Sequence, residues 1–170
     1  MIAACGKPKP QPARTTIGHQ VTQLTVRVGS IWGHGYGVDV VPDNYAVVEH
    51  VNCPEAKRSG VPADAAEGLC AVRLTEDQSN RFAAAVERFK RYAIPLQSFS
   101  FDDPWTRPGG KPCKNQVTDS TLISMTWSGT DGAKMATFYT GCDREELAAF
   151  YKSALAVTDS LPIQQIIGKH

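Results

Sequence analysis

The clearest alternation of apolar and polar positions lies between residues 121 and 140. Thr121–Ser128 has apolar side chains at every second position, and this period of two predicts a strand with one buried face. Asp131-Gly132 supplies turn chemistry, and Lys134–Thr140 is expected to return as the second strand of a β-hairpin. The apolar positions of the first strand are Ile123, Met125 and Trp127.

Two later segments carry helical spacing, and each follows a capping-box pattern. Thr75 and Gln78 predict the start of the first helix, and Pro95 is expected to end it. Asp143 and Glu146 predict the same arrangement for the second helix. The expected inner faces are Phe82, Val86, Phe89 and Ala93 in the first helix, and Leu147, Phe150, Ala154 and Val157 in the second. A last short helix is expected from Pro162 to Ile167.

Further strands are expected over Val21–Val28, Val38–Val41, Tyr45–Val51, Cys70–Leu74 and Leu96–Phe101. The resulting order is three strands, a short strand, a helix, another short strand, a hairpin and a helix. Each half therefore contains a hairpin followed by a capped helix. The pattern predicts an α+β fold, with an antiparallel sheet, two main helices packed on one face and a pseudo-repeat of hairpin plus helix.

Composition limits the kind of protein that this chain can be. A length of 170 residues suits one domain, and 42% hydrophobic with 21% charged residues is ordinary for a globular protein. A formal net charge of +1 gives no basic field, so no nucleic-acid partner is expected. The chain has no apolar run of about 18 residues that would predict a membrane-spanning helix.

Five cysteines are present, and none forms a Cys-x-x-Cys pair. With Cys5 set aside, four separated cysteines in a loop-rich chain favour two disulfides and an oxidising compartment. The alternative is four reduced, buried thiols. We expect the pairs Cys53–Cys70, which bracket a loop, and Cys113–Cys142, which would fix the long irregular segment that contains Cys113. Two other pairings of these four cysteines stay open.

The pattern of polar residues does not predict a catalytic or metal site, and no cofactor is expected. His34, in a glycine-rich loop, is the histidine placed most like a site residue, but no nucleophile motif accompanies it. Asp102 and Asp103 lack the spacing of a hard-cation loop. Aromatic and arginine residues in loops are instead typical of binding surfaces. The candidate binding residues are Trp32, His34, Tyr36, Trp105 and Arg107; alternatively, the two tryptophans cover the ends of the core.

The N-terminal residues Ile2-Ala3-Ala4-Cys5 resemble the lipobox of bacterial lipoproteins. Residues 7–14 then alternate proline with polar residues, a composition that favours an extended tether. The resemblance implies a signal peptide, acylation of Cys5 with palmitate-type chains, and contact with the membrane through this lipid only. Gly6 in the next position implies sorting to the outer membrane, facing the periplasm. We therefore expect an anchor and tether over residues 1–18 and a single domain over 19–170.

The order of elements is also similar to that of a set of uncharacterised periplasmic lipoproteins. The similarity spans Val21–Ile167 and includes the glycine-rich first loop, the Leu74–Gln78 segment and the Thr118-Asp119 pair before the hairpin. Members of that set often have cysteines in the first loop, where this chain has Trp32 to Tyr36. The resemblance implies a fold and a compartment but no activity.

These features favour a non-enzymatic cell-envelope lipoprotein that binds another protein. An inhibitor or immunity protein for a toxin or wall-degrading enzyme is one concrete form. A second hypothesis is a periplasmic hydrolase or small-ligand-binding protein that uses the His34 loop. A third is a structural component of the envelope.

Overall fold

Seven strands form one antiparallel sheet in a computed structural model that describes residues 21–30, 35–41, 43–49, 69–99 and 106–164. The order across the sheet is β4-β3-β2-β1-β6-β7-β5, so that β1 and β6 lie at the centre. The strands are β1 Val21–Ser30, β2 Gly35–Val41, β3 Tyr45–Glu49, β4 Cys70–Arg73, β5 Ile94–Pro95, β6 Thr121–Gly129 and β7 Gly132–Tyr139. The helices are α1 Glu76–Glu87 and α2 Ala148–Leu155.

The period-two pattern places the apolar side chains of neighbouring strands on one face. Val26 of β1 lies opposite Val38 of β2 on one side and Met125 of β6 on the other, and all three are fully buried. Phe138 of β7 packs against Phe89 and Phe150, with ring centroids 5.7 and 5.0 Å apart. Phe89 follows α1 directly, and Phe82 and Val86 of α1 belong to the same buried core. Both helices therefore pack against this core, and the predicted α+β class is confirmed.

The hairpin and the first helix follow the local sequence signals. Gly132 has a φ of 97°, which an L side chain rarely adopts, and it closes the turn between β6 and β7. The capping box of α1 is formed: the Thr75 hydroxyl accepts the Gln78 N–H, and the Gln78 side chain accepts the Thr75 N–H. The helix ends at Glu87, earlier than Pro95, and Lys90–Tyr92 forms a 3₁₀ turn.

Two expected elements are placed differently. The strand expected over Leu96–Phe101 is wrong, because Leu96–Ser98 forms a 3₁₀ turn and only Ile94–Pro95 pairs with β7. Pro95 has no N–H to donate to a continuing ladder, which accounts for the short strand. The second helix begins at Ala148 and has no side-chain cap, so the capping box expected at Asp143 is also wrong. Ile163, expected in a last helix, is fully buried in the core.

One disulfide is described in full, between Cys113 and Cys142, with Cα atoms 5.3 Å apart. This pairing confirms the expectation for these two cysteines. Cys70 is also disulfide-bonded, but its expected partner Cys53 lies outside the described residues, so that pairing stays a prediction. Within the described ranges, neither helix has the length and apolar character needed to cross a membrane.

Candidate functional site

Three of the five candidate binding residues, Trp32, His34 and Trp105, lie outside the described residues, as does the expected lipidation site Cys5. Tyr36 was expected in a loop but lies in β2, opposite Val28, and is only 8% exposed. Its hydroxyl is hydrogen-bonded to the hydroxyl of Thr158 at 3.2 Å. Burial raises the pKa of Tyr36, although the hydrogen bond from Thr158 opposes the shift. Tyr36 is therefore a core residue with one satisfied polar atom.

Arg107 lies at the base of a tight turn that the sequence places inside the long irregular segment. The Arg107 N–H donates to the Lys111 carbonyl at 2.7 Å, and Thr106 and Pro112 form an isolated bridge just outside this bond. Gly109 and Gly110 both have positive φ, so the chain reverses without a side-chain clash. This turn directs the guanidinium of Arg107 back toward the domain.

Four charged side chains meet there, and we refer to them as the Arg107 cluster: Arg107, Lys114, Asp143 and Glu146. Arg107 Nε lies 3.2 Å from Asp143 Oδ2, and a second guanidinium nitrogen contacts Glu146. Lys114 Nζ lies 3.2 Å from the other oxygen of Glu146. The cluster ties the turn at residues 106–112 to the segment that precedes α2.

Asp143 is the most buried member of the cluster, with 2% of its side chain exposed. Its carboxylate accepts the backbone N–H of Lys114 at 3.0 Å and that of Asn115 at 2.8 Å. Its backbone has a φ of 46°, a left-handed conformation that aspartate tolerates better than most residues. Asp143 therefore binds the backbone of a distant loop, and α2 starts after it.

Close backbone approach completes this connection. The Val117 N–H donates to the Gly141 carbonyl at 2.9 Å, and a Cβ at Gly141 would lie 2.3 Å from the Val117 carbonyl oxygen. Tyr151 donates its hydroxyl to the Cys142 carbonyl at 2.6 Å. Segment 113–117 is thus fixed along residues 141–143 by a disulfide, backbone hydrogen bonds and a buried carboxylate.

The charges in the cluster shift the pKa values of its two carboxylates and of the neighbouring Tyr151. Burial alone would raise the pKa of Asp143, but hydrogen bonds from the Asn115 and Lys114 amides and the charge of Arg107 hold that pKa below its usual value. Hydrogen bonds from Arg107 and then Lys114 lower the pKa of Glu146. Burial, and next the negative charge of Asp143, raise the pKa of Tyr151 to about 12. Both carboxylates are therefore ionised at neutral pH.

Two grooves lie along the exposed side of α2 and adjoin at Arg144 and Ala148. One, of about 650 Å³, runs between α2 and the start of β6. The other, of about 660 Å³, lies between segment 115–117 and the turn before α2. Sequence reasoning missed both grooves, because each depends on a contact between distant segments. One needs segment 115–117 beside the turn before α2, and the other needs the start of β6 beside α2.

The Arg107 cluster is built for holding the chain in place, since every member is engaged with another charge or with the backbone. The described residues contain no group of three His, Cys, Asp or Glu side chains that could hold a metal ion. All four histidines lie outside the described residues, so the hydrolase hypothesis that uses His34 stays a prediction. No model of a known protein family matches the chain, and no curated protein matches it in sequence.

Proposed function

We propose that this chain is a non-enzymatic, lipid-anchored protein of the cell envelope whose domain binds another protein. An inhibitor or immunity protein for a toxin or wall-degrading enzyme is the concrete form that we favour. The observation that carries the proposal is the fixing of an exposed, irregular segment, residues 109–119, against the start of α2. The Cys113–Cys142 disulfide and the buried Asp143 carboxylate hold it there.

A loop that is already ordered in the free protein loses less conformational entropy when a partner binds. Ordering a flexible side chain on association costs about 0.5–1.5 kcal/mol, and loop ordering adds to that cost. Segment 109–119 is exposed at nearly every position, yet the backbone of residues 114–117 within it is paired with residues 141–143. A partner would therefore meet a surface that has been ordered during folding, as in rigid inhibitor loops.

The anchor belongs to the same proposal. The lipobox-like residues Ile2 to Cys5 and the proline-rich tether would hold the domain at the periplasmic face of the outer membrane. Expression from the native gene with an alkyne-tagged palmitate analogue should label the protein, and Cys5→Ser should abolish the label. Equal labelling of both forms would reject Cys5 as the acylated residue.

We also propose the second disulfide, Cys53–Cys70, and the hairpin-plus-helix repeat. Hairpin β1–β2 precedes α1 and hairpin β6–β7 precedes α2, while β1 and β6 pair at the centre of the sheet. This arrangement is what two copies of one unit joined edge to edge would give. Peptide mapping of the unreduced protein after proteolysis tests the bridge, since a Cys5–Cys70 link would produce a different peptide.

A binding experiment tests the main proposal. The 170-residue chain, immobilised through its N terminus, is incubated with an envelope extract of the source organism, and captured proteins are identified by mass spectrometry. Asp143→Asn should reduce capture, because it weakens the hold on segment 109–119. Asp131→Asn, a matched change in the exposed hairpin turn, should not. If no protein is captured while a small molecule co-purifies, the proposal is rejected.

A further inference from the structure

Two cations in the grooves beside α2 have no charged partner within the part of the chain that the structure describes. Arg144 and Lys152 are both exposed, and neither takes part in any ion pair among the described residues. The neighbouring cations Arg107 and Lys114 are both paired with carboxylates. Arg144 lines both grooves, and Lys152 lines the one beside the start of β6. Their charges are therefore available to an external anion.

The same grooves hold apolar side chains that are exposed to solvent. Val117 is 46% exposed and lines the groove beside segment 115–117, and Leu155 is 38% exposed and lines the other. Within the described ranges the third exposed large apolar residue is Leu96, which lies elsewhere. Apolar groups next to unpaired cations are typical of a surface that a peptide covers, since the apolar contact favours association and the charges set register.

The spacing of the two cations indicates the shape of what binds. Ala148 and Lys152 lie one turn apart in α2, and Arg144 lies four residues before Ala148 in the turn that leads into the helix. In that turn the Leu147 N–H donates to the Asp143 carbonyl at 2.9 Å, as in a helix, so the chain advances there at about the helical rise. Eight residues at the helical rise of 1.5 Å span about 12 Å. An extended peptide advances about 3.3 Å per residue, so side chains three or four residues apart cover this distance. The small Ala148 between the cations leaves room for a peptide backbone.

We propose that these two grooves bind an extended segment of a partner protein that carries two carboxylates three or four residues apart, with apolar side chains flanking them. The carboxylates lie against Arg144 and Lys152, and the apolar side chains cover Val117 and Leu155. This inference rests on the proposed protein-binding function and names its site and ligand class.

Acidic residues in the grooves narrow the choice of anion. Asp119 and Asp159 line the groove beside β6. Glu145, Asp143 and Glu146 line the other groove, and the last two are paired with Arg107 and Lys114. Their charges repel a continuous polyanion such as nucleic acid, which presents a negative charge along its whole length. Carboxylates that are separated by uncharged residues meet the cations and avoid these acids. A lone small anion would leave both apolar side chains uncovered.

A charge-reversal selection tests the site. Random twelve-residue peptides displayed on phage are selected on the immobilised 170-residue chain. Peptides with two acidic residues three or four positions apart are expected to be enriched. The double variant Arg144→Glu with Lys152→Glu should instead enrich basic peptides. The matched control reverses two exposed cations elsewhere, Arg88→Glu with Lys134→Glu, and should keep the acidic preference.

A labelled synthetic copy of the consensus peptide then measures affinity by fluorescence anisotropy. Replacing Arg144 and Lys152 by alanine should weaken binding at least tenfold and remove most of its salt dependence. Unchanged thermal unfolding of the variant shows that the fold is kept. Absence of acidic enrichment, or the same preference before and after charge reversal, overturns the inference. If inorganic phosphate displaces the peptide with an affinity equal to that of the peptide, the site is one for small anions and the inference also fails.

The extract experiment separates this inference from the broader proposal. A protein captured equally by the wild type and by the Arg144→Glu, Lys152→Glu variant would reject the groove and leave protein binding in place. Failure of the wild type to capture any protein would reject protein binding itself. Capture that is lost only in the charge-reversed variant, together with acidic enrichment in the selection, supports both.

Discussion

Asp143 and Asn115 hydrogen-bond to each other twice across 28 residues of sequence. The Asp143 carboxylate accepts the Asn115 N–H at 2.8 Å, and the Asp143 N–H donates to the Asn115 carbonyl oxygen at 2.8 Å. The Cys113–Cys142 disulfide lies beside this pair and brings the two chain segments together. A single aspartate thereby links the start of α2 to the exposed segment that we propose as part of the binding surface.

Replacing Asp143 by asparagine should lower the free energy of unfolding. An amide oxygen in the place of Oδ1 can still accept the Lys114 and Asn115 N–H groups. The amide NH2 group then replaces Oδ2 and faces Arg107 Nε, which loses both its acceptor and its buried counter-charge. Urea unfolding at pH 7 measures the loss, which should exceed that of Asp131→Asn in the exposed turn several-fold. Equal midpoints for the two variants would show that the carboxylate does not stabilise this region.

Acid should destabilise the wild-type protein through the same carboxylate. The pKa values of Asp143 and Glu146 are lower in the folded state than in the unfolded chain, where they are about 3.9 and 4.3. The stabilisation that they provide is complete above the unfolded pKa and is lost as pH falls through the folded pKa. The midpoint of urea unfolding should therefore decrease below about pH 5, and less steeply in Asp143→Asn. Parallel curves for the two proteins would contradict this assignment.

The Cys113–Cys142 disulfide should be a major source of stability. For a separation of 29 residues the chain-entropy model gives a contribution of about 3.5 kcal/mol. The double variant Cys113→Ser with Cys142→Ser should lose an amount of this order in chemical unfolding. Chemical reduction of this double variant then breaks the bridge at Cys70. A further decrease in the free energy of unfolding would show that this second bridge also stabilises the fold.

Local signals were sufficient to predict the sheet hairpin and the first helix. The alternation in Thr121–Ser128 and the pair Thr75 and Gln78 act over a few residues, so the sequence contains everything that forms them. The class of fold follows from the same signals, since each apolar strand face and each helix face must be buried against another.

The candidate site depended on contacts that local patterns do not contain. Asp143 followed by Glu146 matches a helix cap in sequence, yet both side chains are engaged by groups about 30–40 residues earlier, which the Cys113–Cys142 disulfide brings close. The disulfide pairing was the available signal: with Cys113 joined to Cys142, Asp143 must lie beside Lys114. The expected loop position of Tyr36 was wrong for a related reason, because the glycines around it did not reveal that β2 begins at Gly35.

Phe138 should be among the most costly positions to truncate in the core. Its ring contacts those of Phe89, Tyr92 and Phe150, and the side chain is 2% exposed. Phe138→Ala should therefore cost about 3–5 kcal/mol, the range for a buried phenylalanine. Leu96→Ala removes an apolar side chain that is 44% exposed and should change stability by less than about 0.5 kcal/mol. Similar decreases in the free energy of unfolding at the two positions would show that Phe138 does not belong to the packed core.

Tyr36→Phe separates a core role for this residue from the binding role that its sequence position suggested. The change removes the hydrogen bond to Thr158, whose hydroxyl is then buried without that partner, since Thr158 is 1% exposed. The expected loss is about 1–2 kcal/mol in the free energy of unfolding. Affinity for the acidic peptide should not change, because the hydroxyl lies in the core and the grooves lie on the exposed side of α2. If the variant kept normal stability but bound the peptide more weakly, Tyr36 would instead be part of the binding surface.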